Sequence, residues 1–555
     1  MRPRREQTFS MNVARTAVVL MAVSAGAHLA YATHFRYGHY NWKPAGGNAI
    51  DFTIQNAFRR DGYICRNPAT LAVVPCTGPG GLAGVGDVFL ETIGGSVLSP
   101  GDGSPAIGSP LGPLLYRVSS IDPVNNWLFA LALDPAGLPA VKTTITHTYP
   151  ATGNFLAFTD SCCRISALIP PNAHINNPDG GYRVETLVNV GNGNSSPVSA
   201  LPPIVVCPIN ALCSFFVPAA DPNGDPLRFR LSTSVESSSS GPFAQPGPPK
   251  APNAAAINST TGLYTWDTTG ATLGPAGFNT LYSTQVTVTD LDPAGNVKSK
   301  VALDFLIQLV PLTPPLPVFD HPPTPACGST LIAVVGVPIS FVVQASIPSA
   351  TKTVTLNAVG LPFGATMNPA LPETGNPISS TFSWTPTSAQ VGSLVVTFEA
   401  RDNTGQQVLC GVTIQVIQGV LHGRMTGGGS VFTATGVRVT HGFELHCNVV
   451  DLPNNLEVNW DGGNNFHLES LTLAVCINDP SIDPAPPQAG FDTYIGKGTG
   501  SLNGVSGATA EWTFTDAGEP GTNDTAKIVI KNASNATVLT VSGKLDNGNQ
   551  QAHKN

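Results

Sequence analysis

The sequence predicts an all-β protein assembled from several small domains. Charged residues make up only 11% of the chain, whereas 57 glycines and 50 prolines interrupt an apolar background. This composition is typical of short strands separated by turns. Segments such as DFTIQNAF, TVTLNAV and AKIVIKN are apolar or alternating at strand length. Because 555 residues exceed what one hydrophobic core supports, we expect several domains.

The first residues predict a signal peptide. Several arginines precede the apolar run TAVVLMAVSAGAHLA, and Ala30-Tyr31-Ala32 fits a cleavage site. We therefore expect a signal peptide at 1–32 and a mature chain from Thr33. No later segment has enough consecutive apolar residues for a membrane-spanning helix. The expected product is a secreted protein without a transmembrane segment in its mature chain.

Four mature regions follow, and all of them carry strand patterns. A proline-rich connector, VPLTPPLPVFDHPPTPA, separates the second from the third region, and RMTGGGS lies near the start of the fourth. The predicted bounds are 33–200, 201–312, 313–419 and 420–555. Long helical periodicity is missing from the mature sequence, so each region is expected to be a β domain.

The second and third regions repeat one another. CSFFVPA matches ISFVVQA, and INSTTGLYTWD matches the longer MNPALPETGNPISSTFSWT. VTVTDLDPAGNV matches VTFEARDNTGQQV, each being a penultimate strand, a tight turn and a final strand. A repeat of roughly 100 residues built from short strands predicts Ig-like sandwiches in tandem.

Several of these segments resemble known modules. T-G-x-x-x-W followed by V-T-V-T-D-x-D resembles cadherin-like or putative-Ig modules of bacterial surface and secreted proteins. In the first region, ITHTYPATGNFLAF resembles the end of PKD-type sandwiches. In the fourth, MTGGGS through THGFELHC resembles a small β domain at the C-termini of bacterial secreted proteins. The resemblance implies a bacterial secreted protein of tandem cadherin-like and Ig-like sandwiches with a C-terminal MTGGGS-type β domain.

Each of the four regions contains an even number of the ten cysteines. Such even numbers behind a signal peptide predict a disulfide framework within each domain. Region by region, the cysteines are Cys65, Cys76, Cys162 and Cys163, then Cys207 and Cys213, then Cys327 and Cys410, then Cys447 and Cys476. Redox C-x-x-C motifs and metal–thiolate spacings are missing from the sequence.

Two pairings follow from position in a sandwich. Cys327 precedes the first strand of the third region and Cys410 enters its last strand, and these strands are neighbours in an Ig-like fold. A bond between Cys207 and Cys213 would fix a turn.

The adjacent Cys162 and Cys163 leave two pairings open. If both lie on a strand, their side chains point to opposite faces. Each would then bridge a different partner, Cys65 or Cys76, and we favour this arrangement. The alternative is a bond between Cys162 and Cys163 themselves, with Cys65 bonded to Cys76.

One possible metal site is predicted, in the second region. Asp221, Asn223 and Asp225 alternate in ADPNGDPL, and Asp290 and Asp292 alternate in VTVTDLDPAGN. The two segments should form the B–C loop and the F–G hairpin, which lie at one end of an Ig-like sandwich. Such oxygens suit calcium, and the set resembles half of a cadherin site, although the connector NVGNGNSSPVSA lacks acidic residues. The alternative is that these residues only form turns.

The sequence offers little for catalysis. G-x-S-x-G, H-E-x-x-H and P-loop motifs are missing, and so is a basic stripe for nucleic acid. A zinc site is conceivable in the fourth region, but polar residues on a solvated strand face are the favoured interpretation. The residues concerned are His441, His446, His467 and Glu469.

We expect a non-catalytic binding or adhesion protein whose partner is an unidentified extracellular protein or glycan. The aromatic and arginine-rich THFRYGHYNW, with Arg59 and Arg60, is a candidate binding surface or else part of the first core. A carbohydrate-binding protein or hydrolase with its site in the first region is one alternative. A purely structural matrix component is another.

Overall fold

Strands carry nearly all the regular structure of the chain. The computed structural model describes residues 35–91, 95–123, 126–138, 141–419, 422–479, 482 and 489–554. Among these residues the longest helix, α1 (Ser234–Ser237), has only four residues. The all-β prediction is therefore confirmed. The predicted signal peptide, 1–32, lies outside the described residues.

The chain divides into two compact units. The first contains Met1–Leu331, Ile339–Trp384 and Gly392–Gln415, and the second contains Ile332–Pro338, Thr385–Val391 and Val416–Asn555. The boundaries near residues 200, 312 and 419 are predicted for domains that fold independently. The division into two compact units does not test independent folding, so these boundaries stay predictions.

Nineteen strands precede residue 320 in the described chain. The first ten are β1 (Phe35–Gly46), β2 (Ala49–Arg59), β3 (Val88–Leu90), β4 (Leu115–Asp122), β5 (Trp127–Ala132), β6 (Ile145–Thr148), β7 (Gly153–Ser161), β8 (Asn172–His174), β9 (Tyr182–Val190) and β10 (Val198–Ser199). The next nine are β11 (Ile204–Pro208), β12 (Leu212–Phe216), β13 (Ala219–Ala220), β14 (Leu227–Leu231), β15 (Ala256–Ile257), β16 (Leu263–Asp267), β17 (Asn279–Leu291), β18 (Val297–Val310) and β19 (Val318–Phe319).

A thirteen-stranded sheet joins the first two predicted regions. Its main path runs β14-β17-β18-β1-β2-β5-β4-β3, and β6, β7, β8, β9 and β11 pair beside it. Strand β1 lies antiparallel to β18, with Gly38 opposite Asp304 and His39 opposite Leu303. The position predicted as a boundary, residue 200, therefore lies between strands of one continuous sheet.

Strand β17 is buried on both faces. Every residue of β17 after Asn279 is buried, including its threonines and Gln285. A sheet with one solvated face would expose its polar residues in alternation. Here Gln285 Nε2 instead donates to the carbonyl of Arg183 at 2.8 Å and to Asp304 Oδ2 at 2.9 Å, and Arg164 forms a buried ion pair with Asp304. Residues of the first region thus cover this strand.

The third region repeats the strand pairing of the second, as the sequence predicts. Strand β12 pairs with β16, which places Cys213 opposite Trp266. Likewise β21 pairs with β25, which places Ile339 opposite Trp384, and both tryptophans are buried. The sheets of the third region are β19-β21-β25-β23 and β20-β27-β26-β22-β24. Their remaining strands are β20 (Thr330–Val334), β21 (Ile339–Ser346), β22 (Val354–Val359), β23 (Thr366–Asn368), β24 (Glu373–Gly375), β25 (Ile378–Trp384), β26 (Gly392–Asp402) and β27 (Gln407–Ile417).

The C-terminal strands form one nine-stranded antiparallel sheet. They are β28 (Arg424–Phe432), β29 (Arg438–His446), β30 (Asn455–Trp460), β31 (Asn464–Ile477), β32 (Thr493–Leu502), β33 (Val505–Thr515), β34 (Thr525–Lys531), β35 (Thr537–Lys544) and β36 (Asn547–His553). The pairing order begins with β35, descends to β28 and ends with β36. Only two residues link β35 to β36, so the last residue of β35 lies close to the first residue of β36. Met425, Phe443 and Trp512 are among its core residues.

All ten cysteines are disulfide-bonded, and none is free. This confirms that the chain is a disulfide-bonded protein. The pairs are Cys65–Cys76, Cys162–Cys163, Cys207–Cys213, Cys327–Cys410 and Cys447–Cys476. The Cys327–Cys410 bond reaches β27 from just before β20, and these two strands are neighbours in their sheet.

The favoured pairing of the cysteine doublet is wrong, and the alternative is found. Cys162 bonds to Cys163, and Cys65 bonds to Cys76. The argument from alternating side chains fails because β7 ends at Ser161. The doublet therefore lies just beyond the strand, where the two-residue alternation of a pleated strand no longer applies.

Candidate metal centre

Asp221 lies at the start of the loop that follows β13. Its Oδ1 accepts the backbone N–H groups of Asn223 at 2.8 Å and Asp225 at 3.1 Å, which is how aspartate commonly shapes a turn. Gly224 occupies a left-handed position in this turn, with φ of 82°. Asp221 is only 5% exposed, and its Oδ2 has no hydrogen-bond partner among the described residues. One buried carboxylate oxygen therefore remains unsatisfied.

Asp290 occupies the end of β17 and is fully buried. Its Oδ1 accepts the backbone N–H of Ser299 at 2.7 Å and the Ser299 hydroxyl at 2.5 Å. Its Oδ2 accepts the side-chain amide of Asn194 at 2.7 Å. These bonds hold the carboxylate in a fixed position in the β17–β18 hairpin.

Asp225 completes a cluster of three carboxylates. One oxygen from each of Asp221, Asp225 and Asp290 lies within 4.8 Å of the others. Asp225 also forms an ion pair with the ammonium group of Lys298 on β18. Three carboxylates therefore converge with one ammonium group in contact, and two of the three are buried. Carboxylate oxygens are ligands that calcium prefers.

The surroundings raise the pKa values of two groups in the cluster, the Asp221 carboxyl and the Lys298 ammonium group. Burial raises the pKa of Asp221 to about 6, and the charges of Asp290 and Asp225 act in the same direction, against the backbone N–H groups it accepts. Partial burial lowers the pKa of Lys298, but its hydrogen bond to Asp225 and the charges of Asp225, Asp290 and Asp221 together outweigh this effect, so the pKa lies above its ordinary value. Negative charge in the cluster is therefore incompletely neutralised.

Two of the five residues proposed from the sequence lie outside the three-carboxylate cluster. Asn223 Oδ1 accepts the backbone N–H of Ser195 at 2.7 Å. Asp292 is half-buried and accepts the backbone N–H of Asn296 at 2.8 Å, which caps the hairpin turn. The β17–β18 register shifts between Asp290 and Leu291, just before Asp292.

Asn194 is the residue that the sequence argument missed. It belongs to the connector between β9 and β10, and it is 1% exposed. Besides its amide bond to Asp290, its Oδ1 is buried and has no hydrogen-bond partner among the described residues. The connector NVGNGNSSPVSA lacks acidic residues but contains three asparagines. Its side-chain amides were the available signal, but the contact spans 96 residues of sequence.

The histidines of the fourth region do not assemble a zinc site among the described residues. His441 is buried beside Gln550, with 3.0 Å between their Nε2 atoms, and burial lowers its pKa to about 4. His446 Nδ1 lies 2.8 Å from the carbonyl of Pro453, and Glu469 accepts the hydroxyl of Ser506. These groups have separate structural contacts.

The aromatic residues of β1 that the sequence offers as a binding surface belong to the core of the first region. Phe35, Tyr40 and Trp42 are buried in one cluster, and Arg60 donates to the carbonyl oxygens of Pro79 and Ala83. They are therefore unavailable as a surface for a ligand. Arg59 forms an ion pair with Asp61 at 2.6 Å.

Two family models match parts of the chain. One, described as "Integrin beta-like protein A-E, N-terminal", matches residues 36–191, and another, described as "Putative Ig domain", matches residues 323–417. The three-carboxylate cluster lies outside both ranges. The second match agrees with the Ig-like sandwich expected in the third region.

Curated relatives come from Dictyostelium discoideum. Integrin beta-like protein A is 26% identical over 459 residues, which cover 73% of this chain and 20% of that protein. Integrin beta-like protein C is 27% identical over 418 residues, which cover 67% of this chain and 18% of that protein. The chain thus spans about a fifth of the length of these relatives.

Solved structures of tandem Ig domains align only locally. "Tandem Ig repeats of Dlar" is 12% identical and covers 40% of this chain and 98% of its own, with a TM-score of 0.17. "Sialic acid binding region of Streptococcus Sanguinis SK1 adhesin bound to 3'sLn" is also 12% identical and covers 47% and 95%, with a TM-score of 0.14. We draw nothing about function from superpositions of this quality.

The comparisons correct the family inferred from the sequence. The resemblance to bacterial secreted proteins with PKD-like and cadherin-like modules and an MTGGGS-type domain is wrong as an assignment. The PKD-like segment falls inside the integrin beta-like match at 36–191, and the relatives are eukaryotic. The misassignment arose because short strand and turn motifs recur in unrelated β-sandwiches. Among the described residues, no helix has the length and apolar character needed to cross a bilayer.

Proposed function

We propose that this chain is a non-catalytic, extracellular binding or adhesion protein whose second sandwich binds calcium. The observation that carries the metal assignment is the unsatisfied, buried Oδ2 of Asp221 within the three-carboxylate cluster. An unpaired buried carboxylate oxygen is costly, and a bound divalent cation would remove that cost. Asp221, Asp225 and Asp290 would supply ligands, with water completing the six to eight oxygens that calcium takes.

Three observations support the extracellular binding role. Ten cysteines in five disulfides suit an oxidising compartment. The relatives are integrin beta-like proteins, and the third region matches an Ig-domain family. We propose an extracellular protein or glycan as the partner, with secretion as the route to the cell exterior.

Calcium binding is tested by comparing two aspartates of neighbouring loops. In the full chain, stripped with chelator, calcium should raise the melting temperature of the wild type and of an Asp292→Asn variant. Asp221→Asn should show no shift, although its amide oxygen can keep the two turn hydrogen bonds. At a calcium concentration of 100 times the Kd the wild type should gain roughly 2.7 kcal/mol.

The matched control decides the interpretation. Asp292 has the same chemistry and lies in the β17–β18 turn, yet it stands outside the cluster. A wild type that neither shifts nor binds calcium at millimolar concentration would refute the site. Equal shifts in the wild type and Asp221→Asn would place the calcium elsewhere.

The binding role needs a separate experiment. The full chain should bind members of a glycan array or an extracellular protein panel saturably, without turnover of generic hydrolase substrates. Turnover that is lost on substitution of carboxylates in the first region would instead identify an enzyme. Calcium-loaded and chelated protein should be compared on the same array.

A further inference from the structure

The connector between β9 and β10 is tied to both of the first two regions. Ser196 exchanges hydrogen bonds with Trp42 of β1, at 3.0 Å through its backbone N–H and 2.8 Å through its hydroxyl. On the other side, Ser195 donates its N–H to Asn223, and Asn194 donates its amide to Asp290. Residues 191–197 therefore lie between the first core and the three-carboxylate cluster.

The cluster also contains a positive charge, the ammonium group of Lys298. Lys298 pairs with Asp225, and about a quarter of its side chain is exposed. A long, partly exposed side chain can swing into solvent without breaking the core. A divalent ion bound to Asp225 would repel the ammonium group at this distance, so the two cations compete for one carboxylate.

We propose that a divalent cation in this site displaces the Lys298 ammonium group and takes Asn194 Oδ1 as a ligand, which clamps connector 191–197 to the second sandwich. This inference rests on the proposed calcium site. It follows from two buried oxygens without partners among the described residues, Asp221 Oδ2 in the cluster and Asn194 Oδ1 on the amide that bonds to Asp290. Asn194 lies beside the cluster because its own amide nitrogen bonds to Asp290.

The clamp has a mechanical consequence for the connector. Without the ion, Asn194 is held to the cluster by a single hydrogen bond. With the ion, its oxygen is held as well, and the loop after β13, the β17–β18 hairpin and the connector share one bound atom. Local opening of 191–197 then requires loss of a metal ligand, so backbone hydrogen exchange there should slow.

The first measurement is calcium affinity in the full chain, by calorimetry. Lys298→Met should bind calcium at least about tenfold more tightly than the wild type, since the competing ammonium group is gone. Lys300→Met is the matched control, because Lys300 pairs with Glu185 and Glu236 instead. Its affinity should equal that of the wild type. Unchanged affinity in Lys298→Met would overturn the exchange.

The second measurement is hydrogen exchange of residues 191–197 with and without calcium. Calcium should slow exchange there in the wild type but not in Asn194→Ala, while the turn at 532–535 stays unchanged. Asn194→Asp keeps an oxygen ligand, so calcium should again protect the connector, which guards against misfolding of the alanine variant.

The outcomes separate the two proposals. Calcium that binds without protecting the connector, or that protects it equally in Asn194→Ala, would overturn the clamp and leave the metal site standing. A wild type that binds no calcium would overturn the site itself.

Discussion

At the scale of single residues, buried neutral groups link the first two regions. His39 on β1 is fully buried. Its Nδ1 lies 3.2 Å from the carbonyl of Ala302, and its Nε2 accepts the backbone N–H of Ser199 at 3.2 Å. A ring that accepts through Nε2 must be neutral there. Burial accordingly lowers the pKa of His39 to about 4.

The first prediction concerns acid stability. Unfolded histidine takes up a proton near pH 6.5, whereas folded His39 stays neutral down to about pH 4. The unfolded state thus binds more protons in this window, and stability is lost as pH falls from about 6.5 towards 4. The loss from this group should be roughly 2 kcal/mol at pH 5. Denaturant melts at pH 7 and pH 5 measure it.

A His39→Gln variant should lose that part of the pH dependence. Glutamine can retain one donor and one acceptor towards Ala302 and Ser199, but it does not titrate. The exposed His422 provides a control, since His422→Gln should behave as the wild type at both pH values. An unchanged pH 5 deficit in His39→Gln would assign the effect to other groups.

Individual site residues were predictable only where the contact is local. The turn made by Asp221 and the carboxylate of Asp290 follow from sequence spacing. Asp292 lies outside the three-carboxylate cluster, beyond a shift in the β17–β18 register that sequence spacing does not reveal. Asn194 could not be predicted from the sequence because its partner, Asp290, lies on a strand 96 residues away.

At the scale of elements, the disulfides differ in the length of chain they close. Cys327–Cys410 has a sequence separation of 83 and joins the segment just before β20 to β27, whereas Cys207–Cys213 has a separation of 6 and joins β11 to β12 across one turn. In the chain-entropy account the longer loop contributes roughly 4.6 kcal/mol and the shorter roughly 2.4 kcal/mol.

Removing each pair should therefore destabilise the protein unequally. We expect Cys327→Ser with Cys410→Ser to lower the melting temperature more than Cys207→Ser with Cys213→Ser, as measured by calorimetry on the full chain. Equal losses would mean that local packing rather than loop length determines the contribution. Double substitutions avoid the free thiol that a single one would leave.

The pairing of strands was predictable where motif and neighbour lie in one repeat. The tryptophan strands β16 and β25 and their partners follow from the aligned segments CSFFVPA and ISFVVQA. The pairing predicted for Cys162 and Cys163 is wrong because they lie just beyond the end of β7. Sequence patterns locate such a strand end only to within a few residues. Periodicity therefore identified strands better than it identified their last residue.

At the scale of the whole molecule, residues of the first region pair with strand β18 of the second region and neutralise a buried charge on it. Strand β18 pairs with β1 and β9, and Arg164 neutralises the buried Asp304. No local pattern foretells the pairing of β1 with β18, because about 260 residues separate the partners. The sequence repeat therefore suggested a second sandwich independent of the first.

A fragment of residues 201–312 should accordingly fold poorly, whereas 33–312 should fold. The shorter fragment exposes β18 and leaves Asp304 without Arg164, and removal of one partner of a buried pair typically costs roughly 3–5 kcal/mol. Solubility and the cooperativity of thermal melts compare the two. A sharp, reversible melt of 201–312 alone would show that the predicted boundary near residue 200 is a true domain boundary.

The pairing of β28 with β36 has its own consequence for how the C-terminal sheet can be joined to other sequence. Arg424, at the start of β28, lies opposite His553, at the end of β36. Entry and exit of the domain are therefore side by side, on adjacent antiparallel strands. A module with that geometry can be spliced into a host loop, or cut and rejoined at a different turn, without rerouting the flanking polypeptide.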